Sequence, residues 1–234
     1  MAEPSDMKGG RAAPPAAILS DLERDGRADT TETDRIRAIY DRNAARYDRH
    51  TGDGGWLIHD GRSWLAGEAR GETLEVGIGT GLTIPWYPAD VRLTGIELSP
   101  AMLGIAAARA RATGREVDLR VGDATALPFA DGSFDTVAFC LVLCTVRDDA
   151  LAFAEALRVL RPGGRVVLLE HVRSPNRAVR LLEHLMQPIG LRTQGDHLLR
   201  EPFDHVRAHG LGIELLERHT FGVMERLVAV KPEA

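Results

Sequence analysis

Short apolar runs alternate along this chain with stretches in which apolar residues recur every three to four positions. Each short run predicts a strand, whereas the longer spacing predicts an amphipathic helix. The helix at 99–111 has a clear start, because Ser99 can cap it and Pro100 suits its first position. The predicted strands are 73–76, 92–97, 117–121, 136–141, 165–170, 213–217 and 227–230. This rhythm predicts an α/β fold with a single doubly wound sheet of about seven strands, mostly parallel.

The N-terminal region follows a different pattern. Residues 1–32 are polar and poor in large apolar side chains, which predicts a disordered tail. Helical spacing begins near Asp34, and a second helical stretch surrounds 56–69. We therefore expect a helical cap at 33–70 in front of a core domain at 71–234.

Composition and charge exclude several classes of protein. The 234 residues carry 29 basic and 34 acidic side chains, a net charge of −5, which does not suggest a nucleic-acid binder. The sequence has no apolar run of about 18 residues, so we expect no stable membrane insertion. Two cysteines, Cys140 and Cys144, suit a reducing compartment, and the expected location is the cytoplasm. Both are interpreted as small buried apolar residues rather than nucleophiles.

A glycine-rich loop follows the first predicted strand. Gly77, Gly79 and Gly81 let the chain turn sharply and bring backbone N–H groups against a ligand. Glu75, just ahead of them, would repel a pyrophosphate and would suit a cationic ligand. The alternative is a plain tight turn without a ligand.

A dinucleotide site is disfavoured at this loop. Its fingerprint needs a glycine where this chain has Leu82, followed by a long helix. Pro85 and Pro88 leave room for only a short helical turn.

Carboxylates follow the second and third predicted strands. Glu97 lies about 20 residues beyond the first glycine, where a carboxylate can accept both hydroxyls of a ribose. Asp123 ends the third strand and can accept a hydrogen bond from an adenine amino group. Taken alone, Glu97 could be a solvated strand end and Asp123 an Asx-type turn. Together with the glycine loop, they indicate a nucleoside ligand.

These motifs resemble those of the class I S-adenosylmethionine (SAM) dependent methyltransferases, over about residues 36–230. The matching stretches are 75–81, Glu97, 122–129, 132–135 and 160–164. The resemblance implies a Rossmann-like fold, SAM as cofactor, and a methyl group transferred by in-line displacement. It implies that Glu75 and the glycine loop hold the methionine end, Glu97 the ribose, and Asp123, Ala124 and Met102 the adenine. The predicted cofactor-binding residues are Tyr40, Tyr47, Glu75, Gly77, Gly79, Gly81, Glu97, Leu98, Met102, Asp123 and Ala124.

The repeat Tyr40-Asp41 and Tyr47-Asp48 resembles the N-terminal helix of the quinone-biosynthesis and bacterial phospholipid methyltransferases. In those proteins a tyrosine covers the bound cofactor. The alternative is an aromatic stripe that packs on the core.

The methyl acceptor is predicted to be a small molecule, and the stretches 139–146 and 170–172 are similar to animal thiol methyltransferases. A thiol is therefore favoured, with O-, N- or C-methylation of a quinol, phospholipid or specialised metabolite as the alternative. Those thiol enzymes carry a membrane anchor, and this chain has a polar stretch in its place. His171 is the candidate proton-handling residue, and 174–204 is the candidate acceptor lid.

Two other classes of protein remain open, a non-catalytic SAM-binding protein and a nicotinamide oxidoreductase. No metal site is expected. His205 and His209 share helical spacing, but Val206 stands where the metalloprotease pattern needs a glutamate.

Overall fold

A computed structural model describes residues 16–51, 58 and 60–233 of the chain. In these residues, one seven-stranded sheet has the strand order β3-β2-β1-β4-β5-β7-β6. Strands β1 to β5 pair in parallel, and β7 runs antiparallel to both of its neighbours. The strands are β1 (Glu72–Val76), β2 (Arg92–Glu97), β3 (Val117–Val121), β4 (Phe134–Cys140), β5 (Leu160–His171), β6 (Gly212–His219) and β7 (Met224–Val230). The predicted doubly wound, mostly parallel sheet is confirmed.

Helices cover the sheet and begin at the capping residues that the sequence supplies. Ser99 caps α3, where its hydroxyl oxygen accepts a 3.1 Å hydrogen bond from the backbone N–H of Met102. Asp148 caps α4 and Asn176 caps α5 in the same way. The helices are α1 (Ala16–Thr51), α2 (Gly61–Gly67), α3 (Pro100–Ala112), α4 (Asp149–Val159), α5 (Arg177–Thr193) and α6 (Pro202–Ala208). Short 3-10 turns lie at Ile84–Trp86 and Thr220–Gly222.

Helix α1 is longer than the sequence pattern indicates. It begins at Ala16, ahead of the predicted start near Asp34, so the part of the predicted tail at 16–32 is helical in the structure. The segment 16–24 contains alanine, leucine and glutamate, which have high helix propensity. The prediction of a disordered tail rested on apolar content alone and did not include helix propensity. The rest of the predicted tail, residues 1–15, lies outside the described residues, as do residues 56, 57 and 59 of the second predicted helix.

The core lies on both faces of the sheet. Leu74, Val137, Phe139 and Phe153 are among the fully buried side chains on one side, where α4 packs. Strand β1 pairs with β2 on one edge and with β4 on the other, so the strand order reverses between β1 and β4. In sheets of this kind, ligands bind beyond the carboxyl ends of the strands at that reversal.

Candidate cofactor and acceptor site

A cavity opens beyond the carboxyl ends of β1, β2, β3 and β4. It lies at the predicted position, and most of the predicted cofactor residues meet there. The predicted residues that line it are Tyr40, Tyr47, Gly77, Gly79, Glu97, Leu98, Met102, Asp123 and Ala124. We refer to this space as the cofactor cavity.

The glycine-rich loop brings its backbone to the cavity wall. Gly77 and Gly79 have φ angles of 65° and 59°, in the left-handed region that favours glycine. A Cβ atom on Gly77 would lie 2.6 Å from the side chain of Val142, so a larger residue has no room there. The backbone N–H of Gly79 donates a 3.0 Å hydrogen bond to the carboxylate of Glu97.

Glu97 is fixed by the backbone on two sides. Besides the bond from Gly79, its other oxygen accepts a 2.8 Å hydrogen bond from the N–H of Ser99. Burial raises the pKa of Glu97, and the two backbone donors oppose that rise. Each carboxylate oxygen keeps a second lone pair, so Glu97 can still accept hydrogen bonds from a diol in the cavity.

Asp123 combines both interpretations that its sequence position allows. Its Oδ1 accepts hydrogen bonds of 2.8 Å from the N–H and from the hydroxyl of Thr125, which is an Asx-type turn. Asp123 nevertheless lines the cofactor cavity beside Ala124 and Met102. The turn therefore orients the carboxylate at the wall where an adenine amino group would lie.

Two predicted cofactor residues lie away from the cavity lining. Glu75 is fully buried, and its carboxylate accepts hydrogen bonds from the hydroxyls of Thr83 (2.7 and 2.8 Å) and Tyr87 (3.1 Å). Gly81 is also buried, and a Cβ on it would lie 2.5 Å from Ile84. Neither residue is part of the cavity lining, and their contacts within the chain brace the loop from behind, so a direct contact of Glu75 or Gly81 with the ligand stays a prediction.

Glu75 is also not the permanent negative charge that the sequence argument assumed. Burial raises its pKa to about 7, against the hydrogen bonds from Thr83 and Tyr87, which lower it. The attraction predicted between this carboxylate and a cationic ligand is correspondingly weak.

Helix α1 closes one side of the cofactor cavity. Tyr40 and Tyr47 line it, with ring centroids 6.3 Å apart. Ile36 and Thr33, one and two turns ahead of Tyr40, line it as well and were not among the predicted site residues. The helical spacing of Ile36 predicts that it lies on the apolar face of α1, but spacing alone does not show that this face lines a ligand cavity.

The aspartates of the tyrosine repeat fasten α1 to the sheet. Asp41 accepts hydrogen bonds from the Ser99 hydroxyl and, at 3.3 Å, from the N–H of Ala101 at the start of α3. Asp48 accepts a 2.6 Å bond from the Thr80 hydroxyl and forms an ion pair with Arg109 of α3. These contacts hold the helix across the cavity.

A second cavity adjoins the first. The two cavities share Tyr40, Tyr47, Leu141 and Thr145, which form the boundary between them. The second cavity is also lined by Thr51, Ile58, Cys144, His171, Gln194, Asp196, Leu198 and Met224. We refer to it as the acceptor cavity.

The backbone at the boundary is strained and firmly held. Leu141 has a φ of 59°, which is rare for a residue with a branched side chain. Glu170, at the end of β5, accepts hydrogen bonds of 2.9 and 3.0 Å from the N–H groups of Val142 and Leu143. Burial raises the pKa of Glu170 to about 7. The carboxylate of Glu170 therefore fixes the loop that separates the two cavities.

The acceptor cavity contains two groups that can move protons. His171 lines it, and burial lowers the pKa of the imidazole below its usual 6.5, so the ring is neutral at pH 7. Asp196 lines it too, and burial raises the pKa of its carboxyl group to about 6. Among the described residues, Nδ1 of His171 is buried without a hydrogen-bond partner. Sequence reasoning included Asp196 in the candidate acceptor lid at 174–204 but did not name it as a proton-handling residue, because it lies in a loop between α5 and α6 and not at the end of a strand.

The two cysteines fit the interpretation as small apolar residues. Cys140 lines the cofactor cavity and Cys144 the acceptor cavity. Burial raises the pKa of both thiols, so neither is a thiolate at neutral pH. His205 lies elsewhere, where its Nε2 is 2.8 Å from Asp149 and its ring stacks on Phe153.

Comparison with known proteins finds a matching family model. Residues 74–168, from β1 into β5, match the family model described as a methyltransferase domain. In this stretch the chain is similar to the SAM-dependent methyltransferases. The matched stretch includes the glycine loop, Glu97, Asp123 and the loop after β4, so it covers the cofactor side of the site. The cofactor of this family is SAM.

Two curated methyltransferases illustrate the relationship. The chain is 41% identical over 103 residues to a phosphatidylethanolamine N-methyltransferase of Cereibacter sphaeroides, a match that covers 43% of this chain and 51% of that one. It is 43% identical over 122 residues to a ubiquinone/menaquinone biosynthesis C-methyltransferase of Dinoroseobacter shibae, covering 48% and 47%. The match spans about half the length of these relatives. Their names mention a phospholipid and quinones rather than thiols.

A solved structure supports the fold. A SAM-dependent methyltransferase from Methanosarcina mazei superimposes with a TM-score of 0.57 at 19% identity, covering 76% of this chain and 98% of that chain. The strand rhythm predicted the doubly wound, mostly parallel sheet of this fold, and the motif resemblance predicted its Rossmann-like class. Across the described part of the chain, no helix combines the length and apolar character needed to cross a bilayer.

The residues of the cofactor cavity fit SAM. Its wall offers acceptors for hydroxyl and amino groups in Glu97 and Asp123, and the cradle at Gly77 is one that a Cβ would fill. Met102 and Ile96 supply apolar surface beside them. This donor and acceptor set suits a nucleoside with a free ribose and lacks the cluster of cationic groups that a pyrophosphate would favour.

Proposed function

We propose that this methyltransferase transfers the methyl group of SAM to a small molecule bound in the acceptor cavity. The observation that carries the proposal is the shared boundary at Tyr40, Tyr47, Leu141 and Thr145, which sets the two ligands side by side. Bound SAM supplies an electrophilic methyl group on a sulfonium. The chain's own residues orient the acceptor within about 3–3.5 Å of that carbon and exclude water.

In this proposal, the predicted cofactor residues divide by position. Glu97 accepts the ribose hydroxyls, and Asp123 with Ala124 and Met102 binds the adenine. Gly77 and Gly79 face the methionine end, while Tyr40 and Tyr47 cover the ligand from α1. The segments 33–70 and 174–204 act as the cap and the acceptor lid of the core at 71–234.

We further propose that the acceptor is a hydroxylated ring of the quinol type, methylated on carbon or oxygen. Two features support this choice over the thiol that the sequence favoured. The relatives include a ubiquinone/menaquinone biosynthesis C-methyltransferase, and the cavity contains His171 and Asp196. A phenolic hydroxyl, with a pKa near 10, needs a base to become a strong nucleophile, whereas a thiol needs little help.

His171 is the candidate base in this reaction. Its neutral ring can accept the proton from the acceptor hydroxyl, and Asp196 can stabilise the resulting charge or carry the proton away.

A second candidate acceptor is the amine of a phospholipid, which the 41% identity to a phosphatidylethanolamine N-methyltransferase favours. Asp196 would then accept hydrogen bonds from the amine.

One experiment tests the cofactor and the acceptor in sequence. Thermal shift with S-adenosylhomocysteine, SAM, NAD and NADP tests the ligand, and we expect stabilisation by the first two alone. An acceptor panel of quinols, phenols, phosphatidylethanolamine and thiols is then assayed for methylated product by mass spectrometry. Stabilisation by NAD would favour an oxidoreductase, and SAM binding without turnover on any acceptor would favour a non-catalytic SAM-binding protein.

Variants of the two acceptor-cavity residues test the proton transfer. For a quinol, His171→Gln should lower kcat by about 10²- to 10⁴-fold and remove the rise of rate with pH near the imidazole pKa. Asp196→Asn should lower kcat and flatten the profile near pH 6. His219→Gln, an exposed histidine on β6, is the matched control. An unchanged pH profile in His171→Gln would exclude His171 as the base.

A further inference from the structure

Helix α5 has its apolar residues on the outside. Five large side chains of this helix are strongly exposed: Leu181 (62%), Leu182 (59%), Leu185 (66%), Met186 (42%) and Ile189 (53%). Leu181, Leu185 and Ile189 lie four residues apart, and Leu182 and Met186 lie beside them, so they form one continuous stripe. We refer to this stripe as the α5 face.

The opposite side of the helix faces the protein and, apart from Val179, which packs against the core, presents polar residues. Glu183 is buried, and its carboxylate accepts a 3.0 Å hydrogen bond from the N–H of Ser174. Gln187 accepts a 2.7 Å bond from the N–H of Leu198. The usual pattern of a surface helix, with apolar residues inside and polar residues outside, is therefore reversed in α5.

A further exposed apolar residue lies beside the start of α5. Phe221, in the 3-10 turn before β7, is 73% exposed and has a φ of 57°. The Ser174 hydroxyl donates a 2.7 Å hydrogen bond to the Phe221 carbonyl, while the N–H of Ser174 binds Glu183. Ser174 thus joins the Phe221 turn to α5. Phe221 therefore combines an unfavourable backbone conformation with an exposed apolar side chain that no burial among the described residues compensates.

The charged residues of α5 that reach the surface are basic. The helix carries Arg177, Arg180, His184 and Arg192, and its one acidic residue is the buried Glu183. This local positive charge contrasts with the net charge of −5 for the whole chain. A second copy of the chain would bring like charges together, whereas a surface of anionic lipid head groups would match them.

The α5 face is also continuous with the acceptor cavity. After α5, the carbonyl of Gly190 accepts hydrogen bonds from the N–H groups of Gln194, Gly195 and Asp196. Gln194 and Asp196 line that cavity, and so does Met224, three residues beyond Phe221. Both parts of the exposed apolar surface therefore lead directly into the walls around the acceptor.

We propose that α5 and Phe221 dock on an anionic lipid surface, with the apolar stripe in the interface and the arginines against the head groups. The helix lies on the surface and does not cross it. Docking of this kind turns the acceptor lid toward the bilayer, so an acceptor dissolved in the lipid reaches the cavity without passing through water. That last step rests on the proposed function, whereas the docking does not.

Sedimentation with vesicles tests the docking on the full chain, without SAM or acceptor. We expect the protein to sediment with phosphatidylcholine vesicles that contain phosphatidylglycerol, less with phosphatidylcholine alone, and less at high salt. Leu185→Glu and Ile189→Glu should each weaken the association by about tenfold or more. Leu151→Glu is the matched control, because Leu151 is 39% exposed on α4 and a glutamate suits the first turn of that helix.

Further measurements make each outcome decisive. Stabilisation by S-adenosylhomocysteine checks that every variant is folded, and Leu182→Gln is a milder substitution if a glutamate impairs folding. Absence of vesicle association, or equal association by Leu185→Glu, overturns the proposal. So does a dimer in light scattering that Leu185→Glu dissociates, which would make the α5 face an interface between copies. Vesicle binding without turnover would count against the proposed function alone, and turnover of a water-soluble quinol without vesicle binding would count against the docking alone.

Discussion

The carboxylate of Asp48 accepts a 2.6 Å hydrogen bond from the hydroxyl of Thr80, which ties α1 to the glycine-rich loop. Asp41, seven residues earlier, binds the start of α3. Seven residues are about two helical turns, so both aspartates project from similar positions around α1. The helix that carries Tyr40 and Tyr47 is consequently fixed at two points over the cofactor cavity.

Releasing these two points should weaken cofactor binding. Asp41→Ala and Asp48→Ala each remove charge-assisted hydrogen bonds worth about 1.5–3 kcal/mol. Part of this free energy holds α1 in place over the cofactor cavity. We expect each variant to bind S-adenosylhomocysteine about tenfold more weakly in isothermal titration calorimetry, and the double variant more weakly still. Arg42→Ala, an exposed neighbour on the same helix, is the control. Wild-type affinity in the double variant would show that α1 does not contribute to binding.

The sequence predicted these residues only in part. The repeat Tyr40-Asp41 and Tyr47-Asp48 directed attention to the tyrosines, which have a known counterpart in the resembling families. The partners of the aspartates, Thr80, Ser99 and Arg109, lie 32 to 61 residues away along the chain. Spacing along one helix identifies a shared face, but it does not identify what another element brings against that face.

Glu97 is the residue whose loss should affect the cofactor most. Glu97→Ala removes the proposed ribose acceptor and leaves the N–H groups of Gly79 and Ser99 without their bonds. Each buried N–H left unpaired costs about 1–3 kcal/mol, so both the melting temperature and the affinity for S-adenosylhomocysteine should fall. Glu97→Gln can retain one backbone hydrogen bond. We therefore expect a small loss of stability in this variant and a larger loss of affinity for S-adenosylhomocysteine. Calorimetry and thermal melting separate the two effects, and unchanged affinity in both variants would contradict the ribose role.

Strand ends were predictable where a polar residue ends or follows a predicted strand, as at Glu97 and Asp123. Glu75 was predicted as a ligand contact because its place before the glycines resembles the family motif. The structure directs its side chain to Thr83 and Tyr87, on a short turn whose path depends on Pro85 and Pro88. Asp196 was not named as a proton-handling residue because its position in the cavity depends on how α5 packs, which no local pattern records.

The raised pKa of Glu75 predicts a pH dependence of stability. The ordinary pKa of 4.5 becomes about 7 in the fold, so between these values the folded chain holds a proton that the unfolded chain has lost. The stability linked to Glu75 is therefore complete below pH 4.5 and is lost as the pH rises through 7, by roughly 3 kcal/mol.

Thermal melting of Glu75→Gln beside the wild type isolates this contribution. The glutamine stays neutral at every pH and can still accept hydrogen bonds from Thr83 and Tyr87. We expect the two proteins to melt at similar temperatures near about pH 5, and the wild type to fall several degrees below the variant by about pH 8. Parallel curves over that range would mean that the pKa of Glu75 is not raised.

The backbone conformation at Phe221 should lower the free energy of unfolding of the protein. Its φ of 57° costs an L-residue about 1–2 kcal/mol, a cost that glycine avoids. Because the side chain is 73% exposed, its removal sacrifices little buried surface. The extra freedom of glycine in the unfolded chain costs about 0.5–1 kcal/mol in return. Phe221→Gly should therefore be more stable than Phe221→Ala by up to about 1 kcal/mol in urea unfolding.

The same pair of substitutions in α5 should give the opposite order. Leu182 is exposed to a similar extent, at 59%, but has helical backbone angles, so Leu182→Gly should be about 1 kcal/mol less stable than Leu182→Ala. The reversal between the two sites would assign the difference to the backbone at Phe221 rather than to the lost side chain. If glycine is also the less stable substitution at 221, the turn is not strained, and the exposed phenylalanine there has no stability cost for an outside contact to offset.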